Sequence, residues 1–282
     1  MLVCSLERCL RQDLADLLRL WYHESCRVYQ DRLVNDDDRD WFKNLCKDKM
    51  KVKFNTKFDD VVTTEPLLYG DYMSGGVDNR PYSEMPDHAK VTEKVDEFLE
   101  DYNQISTAKM NLVMFMDAIV HLTRIARVIR QPMANALLLG MGGSGRQSLT
   151  RLAAHLSEYE CYQIELSKNY GNNEWKDDLK RFMMRAGMEN QSTVFLFSDT
   201  QIKTESFLED INNILNSGDV PNLYAIDELD EIYTAMKPIV QDVGQCLPHP
   251  AHLPSSRTSV SAPPPSSRTS VSAFPTRSPA LV

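Results

Sequence analysis

The chain has six cysteines (Cys4, Cys9, Cys26, Cys46, Cys161 and Cys246) but no Cys-x-x-Cys pair and no histidine spacing to match one. That lack removes the usual zinc signature and offers no disulfide framework, so reduced thiols are expected. A long apolar run is also missing. The most apolar window, Asn111–Leu122, is about half of the ~20 residues a membrane span needs, and it holds Asp117 and His121. No membrane partner is expected. Positive charge is in deficit: 31 Lys and Arg stand against 40 Asp and Glu, a formal net charge of −9. Nucleic acid is therefore not an expected partner, since such surfaces need clustered cations. The first residues have neither a basic flank nor a small-residue cleavage site, so no secretory signal is expected. What is present is an ordinary globular balance, 42% hydrophobic and 25% charged over 282 residues. That length holds one large domain or two small ones.

Apolar residues at Leu14, Leu17, Leu18, Trp21, Val28 and Tyr29 have helical spacing. Asn35 then offers an N-cap before Asp36, Asp37 and Asp38, acids suited to the positive end of a second helix through Trp41, Phe42 and Leu45. From Lys51 to Asp87 the periodicity fades and Gly70, Gly75, Gly76, Pro66, Pro81 and Pro86 accumulate, which reads as a connection between two packing units. Helical spacing returns at Val91, Val95, Phe98, Leu99 and Tyr102, and again at Leu112, Phe115, Ile119, Leu122, Ala126 and Ile129. Beyond Pro132, short apolar runs alternate with helices. Ala136–Leu139, Tyr162–Leu166 and Val194–Phe197 read as buried strands, separated by helices near Arg146–Tyr159 and Glu174–Met188. Such alternation predicts a parallel sheet with crossover helices. Two further helices are expected, around Phe207–Leu215 and over Ile226–Val240. The tail differs in kind: residues 254–262 recur letter for letter as residues 265–273, and this Ser/Pro-rich repeat is expected to be disordered. Its origin is read as a translated non-coding stretch or an abnormal splice end, with a regulatory tail as the alternative.

The segment with chemical content is Gly140, Met141, Gly142, Gly143, Ser144, Gly145, Arg146, Gln147 and Ser148, placed where a strand ends and a helix begins. Glycines let a backbone wrap a phosphate chain, and free N–H groups at a helix start favour its charge. The outer glycines fit the spacing G-x-x-x-x-G-K-[ST]. Arg146 stands at the lysine position and Gln147 at the hydroxyl position that binds magnesium, with Ser148 one residue out of register. A ligand-free glycine-rich turn is the competing reading of this run. Asp199, at the end of an apolar strand some fifty residues on, is the candidate to orient magnesium; alone it is also compatible with an ordinary strand-end carboxylate.

Two runs carry a resemblance. Asn135–Ala153 (NALLLGMGGSGRQSLTRLA) and Phe207–Asn222 (FLEDINNILNSGDVPN) closely resemble the fourth AAA+ module of axonemal dynein heavy chains, and Leu20–Leu33 resembles the helical lid of the preceding module. The resemblance covers roughly residues 10–243, and the Gly-Arg-Gln-Ser form of the loop is itself typical of that module. It implies an α/β fold, an incomplete AAA+ P-loop parallel sheet with flanking helices, preceded by an α-helical lid segment and followed by a disordered tail. On that basis residues 1–50 are the lid, 51–107 a connecting segment with the first helix, 108–243 a truncated large subdomain, and 244–282 the tail. It implies ATP or ADP as ligand and magnesium as a companion. Expected partners are the rest of a dynein ring and dynein intermediate and light chains, with microtubules reached only indirectly, in the cytoplasm, cytoskeleton and ciliary axoneme. Thr200 stands where AAA+ ATPases usually place a water-activating glutamate. No fourth strand is legible before Val243; the family's order 5-1-4-3-2 places it between strands one and three. Either those two close on each other or the isolated chain is unstable. No appreciable ATPase turnover by this chain alone is expected.

Overall fold

The computed structural model describes residues 13–73, 80–131, 134–189, 191–246 and 280–281. It divides into two compact units, one of residues 1–131 with 136–161 and the other of residues 132–135 with 162–282.

The first unit starts with helix α1 (Leu14–Val28), whose N-cap Asp13 accepts from the Ala15 amide at 3.4 Å. Leu18, Tyr22 and Cys26 are spaced at i, i+4 and i+8 and form one buried stripe. Helix α2 (Asp36–Phe54) opens with the three aspartates and buries Phe42, Cys46 and Met50 at the same spacing. Asn35 holds the N-cap position, but its side chain makes no capping bond; Asp36 instead pairs with Arg39 at 2.8 Å. A short helix α3 (Phe58–Val61) and strands β1 (Tyr69–Gly70) and β2 (Ser83–Glu84), paired antiparallel, complete this core. The stretch read as a boundary therefore carries regular structure and lies inside the first unit. Tyr22 meets Phe58 edge-on, with ring centroids 4.9 Å apart. Burial pushes the thiols of Cys26 and Cys46 up to about 12 and about 11, which keeps them protonated and inert.

Helices α4 (His88–Ile105), α5 (Met116–Ile129) and α6 (Arg146–Leu156) follow in the same unit. The α5 face made of Ile119, Leu122, Ala126 and Ile129 is buried, as are Leu152, Ala153 and Leu156 of α6, and the two helices pack together. A buried ionic cluster ties α5 to α1. Glu24, fully buried, accepts from Arg127 at both oxygens, from Tyr82 at 3.3 Å and from His23 Nδ1 at 3.2 Å. Burial alone pushes the Glu24 carboxyl up, but its bonds from His23 and Arg127 outweigh that and hold it at about 2.

The second unit is built on an aromatic core. Trp175, Leu179 and Phe182 line the inner face of helix α7 (Asn172–Gly187) and meet Phe195, Phe207 and Ile211. The Trp175 ring stacks on Phe207 with centroids 4.4 Å apart and planes 12° from parallel. Phe207 and Ile211 belong to helix α8 (Glu205–Ser217), closed by Gly218 at φ +73°; helix α9 (Ile226–Cys246) follows. A small sheet has the order β3-β4-β5, with β3 at Glu160–Tyr162, β4 at Thr193–Phe195 and β5 at Ala280–Leu281. Leu196 donates to the Tyr162 carbonyl at 2.9 Å, and β4 pairs with β5 in parallel, Val194 against Ala280 and Phe195 against Leu281.

Three sequence expectations are corrected. Ala136–Leu139 is not a buried strand: beyond a single bridge at Asn135 it is irregular, and Leu137 and Leu139 are each 83% exposed. An apolar run becomes a strand only where a neighbour completes its backbone ladder, and among the described residues no strand pairs with 136–139. The strand placed at Tyr162–Leu166 instead ends at Tyr162, because Ile164 spends its carbonyl on a side chain. The tail was expected to have no regular structure. Most of it, residues 247–279, lies outside the described residues, but Ala280–Leu281 forms β5 because the far side of β4 offers unpaired backbone groups.

Candidate functional site

The loop Gly140–Ser148 leads directly into α6, whose first residue is Arg146. Two backbone positions decide its shape. Gly143 at φ +79° and Gly145 at φ +76° are left-handed, a conformation that costs other residues about 1 kcal/mol or more. A Cβ built at either would meet nothing within 4 Å, so the need for glycine there is conformational and the adjoining space is open. Gly140 differs: a Cβ there would lie 3.1 Å from Ser144 Oγ and 3.4 Å from Arg146 Cδ.

The loop's hydrogen bonds are few. Ser144 N–H donates to the Met141 carbonyl at 3.3 Å and Leu149 N–H to the Gly145 carbonyl at 2.8 Å. N-cap Gly145 provides no side-chain cap, so the first α6 amides keep their donors for an acceptor outside the helix. Met141, Gly142, Gly143, Ser144 and Gln147 are exposed, while Arg146 and Ser148 are half-buried. Arg146 turns back on the loop, donating from Nη1 to the Leu138 carbonyl at 3.4 Å and from Nη2 to the Met141 carbonyl at 3.2 Å. Thr150 bonds its hydroxyl to the Arg146 carbonyl at 2.9 Å. The set of free amides, a guanidinium and open space fits an anion such as a phosphate chain.

Asp199 lies in the second unit, at the start of a 3₁₀ turn (Asp199–Gln201) after β4. It is exposed, and its Oδ1 accepts from the Thr200 amide at 3.0 Å, leaving the other oxygen for solvent or a cation. Thr200 shares a 2.9 Å hydroxyl contact with Ser198. Among the described residues, no group of three or more His, Cys, Asp or Glu side chains is gathered as a metal cage, and no helix is long and apolar enough to cross a membrane.

Sequence reasoning missed Gln201. Buried to 5% exposure, it donates from Nε2 to the Ile164 carbonyl at 2.7 Å and accepts from the Ser198 amide at 2.8 Å. It thereby fixes the turn that presents Asp199. The signal was legible as Ser198-x-x-Gln201, the spacing of a capping box.

Residues 110–250 match the family described as the P-loop containing dynein motor region D4, and residues 1–64 match an AAA+ lid domain. The chain is 57% identical over 233 residues to human dynein axonemal heavy chain 1, covering 83% of this chain and 5% of that one. It is 46% identical over 231 residues to human dynein axonemal heavy chain 6, covering 81% and 6%. Against mouse dynein axonemal heavy chain 3 it is 43% identical over 246 residues, covering 83% and 6%. The chain thus spans only about a twentieth of the length of these curated relatives.

Proposed function

Because the chain belongs to the dynein motor AAA+ family, through the match of residues 110–250, we propose that it supplies a regulatory or structural nucleotide site to a microtubule-based motor of cilia and flagella. The observation that carries this reading is the loop: Gly143 and Gly145 in left-handed conformations deliver unpaired amides and Arg146 at the start of α6. In this reading Gly140–Ser148 hold the phosphates of ADP or ATP. The relatives' printed names support an axonemal, cytoskeletal setting. Partners on this reading are the rest of a dynein ring with its intermediate and light chains, and microtubules only through that assembly.

Hydrolysis by this chain alone does not follow from the same residues. Phosphoryl transfer needs an oriented water and a positioned metal. Gln147 replaces the metal-binding hydroxyl and Thr200 the acid that would activate water. The chain is therefore read as a binder whose nucleotide sets the conformation of the surrounding motor. Thermal unfolding of the full chain with ADP, with ATP and with neither tests this. A midpoint raised by nucleotide in the wild-type chain but not in Gly145→Val is expected, since binding to the folded state alone stabilises it. Equal midpoints with and without nucleotide would remove the reading.

A further inference from the structure

We propose that Arg146 is a latch on the phosphate loop and that the site takes a nucleoside diphosphate without a divalent cation; the second clause rests on the nucleotide reading above, the first does not. Arg146 reaches from the first turn of α6 across Gly140, with its Cδ 3.4 Å and its Nε 3.6 Å from the place a Gly140 Cβ would occupy. Its two terminal nitrogens bond carbonyls on either side of that glycine, Leu138 before it and Met141 after it. One rigid planar fork thus ties both sides of the loop's entry to the helix behind it. A lysine, with one nitrogen on a flexible stem, does not reproduce that two-point tie. Gly140 is also the one loop glycine where a Cβ would touch the arginine, at ordinary van der Waals distance.

The same bonds define what opens the latch. The Leu138 and Met141 carbonyls are neutral acceptors, at distances long for a hydrogen bond. Phosphate oxygens carry full negative charge and match the guanidinium fork, so they hold it more strongly than neutral carbonyls do. A diphosphate therefore draws Arg146 off its carbonyls and takes the free α6 amides as well. The charge it brings is met by a cation already covalently in place. Metal ligands are scarce in the loop by comparison. Gln147 is exposed at the hydroxyl register and the Thr150 hydroxyl is spent on the Arg146 carbonyl. Carboxylates and hydroxyls are what magnesium needs from a protein beside the phosphates, and the position directly after Arg146 offers the Gln147 amide instead, with the Ser148 hydroxyl one residue out of register.

Two measurements on the full chain decide the matter. The first is exchange of the Ser144 amide, which donates to the same Met141 carbonyl that Arg146 holds, without nucleotide, comparing wild type, Arg146→Ala and Arg146→Lys. The latch predicts about tenfold faster exchange in Arg146→Ala, as expected for the loss of two ordinary hydrogen bonds. Arg146→Lys should fall between, while exchange in the body of α6 at residues 152–156 stays unchanged in both variants. Equal loop exchange in all three chains, or in Arg146→Lys and wild type, would overturn the latch. The second is calorimetric titration of ADP in excess magnesium and in EDTA. Affinities within about twofold support a metal-free diphosphate site; a tenfold or greater loss in EDTA overturns it. Absence of ADP binding in both buffers would remove the nucleotide reading and leave the latch to be judged by the exchange data alone.

Discussion

Ala136–Leu139 and Thr193–Leu196 are both short, mainly apolar runs that lead toward a candidate site residue, yet they have opposite fates. Thr193, Val194, Phe195 and Leu196 are all buried, with β3 on one side, β5 on the other and Trp175 and Phe182 beneath. Leu137 and Leu139 stand 83% exposed. Composition is the same in kind; what differs is whether a strand pairs with the run among the described residues. A strand is a property of a pair, and burial of its side chains follows from the ladder that holds it in place. The consequence for the site is that Asp199 projects from a packed and clipped turn, whereas the loop relies on its glycines and on Arg146.

Substitutions sharpen that contrast. Phe195→Ala should destabilise the second unit by about 3–5 kcal/mol, the usual cost of removing a fully buried ring. Urea unfolding followed by tryptophan fluorescence reports it, because Trp175 contacts Phe195. The contrast extends to charges. Arg127→Met leaves Glu24 buried without its main partner and should cost the first unit about 3–5 kcal/mol. Arg39→Ala breaks only the exposed pair with Asp36 and should change stability by less than about 1 kcal/mol. Comparable losses from the two arginine variants would show that the buried cluster has no special weight.

Acid should act on the same cluster. Burial lowers His23 to about 4 despite its bond to Glu24, and Glu24 is held at about 2. Below about pH 6.5 the unfolded chain takes a proton at His23 that the folded chain refuses, and near pH 4 it also protonates a carboxylate that folding keeps ionised. Both effects remove stability as pH falls, and neither adds any at alkaline pH. The urea midpoint of the first unit should be level above about pH 7 and decline from about pH 6 downward. His23→Gln should flatten the upper part of that decline, and an unchanged midpoint between about pH 7 and 5 in wild type would contradict the assignment. The smallest effect belongs to the exposed run: Leu137→Ala and Leu139→Ala should each shift stability by no more than about 0.5 kcal/mol. A loss near 3 kcal/mol, as for a core leucine, would mean that this segment is packed after all.

Local pattern made much of the fold legible. The α1 stripe, the start of α6 beyond Gly145, and the helices around Trp175 and Phe207 follow from spacing and from glycine chemistry. The loop was legible for the same reason, since its glycines and Arg146 are adjacent in sequence. Long-range pairing was not. Glu24 and Arg127 are 103 residues apart, and nothing local marks either as buried. The Ser198-x-x-Gln201 spacing marks Gln201 as a turn residue but not as a buried one bonded to Ile164, 37 residues away. The pairing of β5 with β4 joins two residues of a low-complexity tail to the most buried strand, a match that repeat composition argued against.

Gln147 and Thr200 together imply a nucleotide site without turnover in this chain. Steady-state phosphate release from the purified full chain, with saturating ATP and magnesium, tests it most directly, with Arg146→Ala and Asp199→Ala as controls for contaminating ATPase. Release should stay at the background of the buffer, the same for all three chains. Release at about 1 s⁻¹ or faster, the range of working phosphoryl-transfer enzymes, and abolished by either substitution, would contradict it.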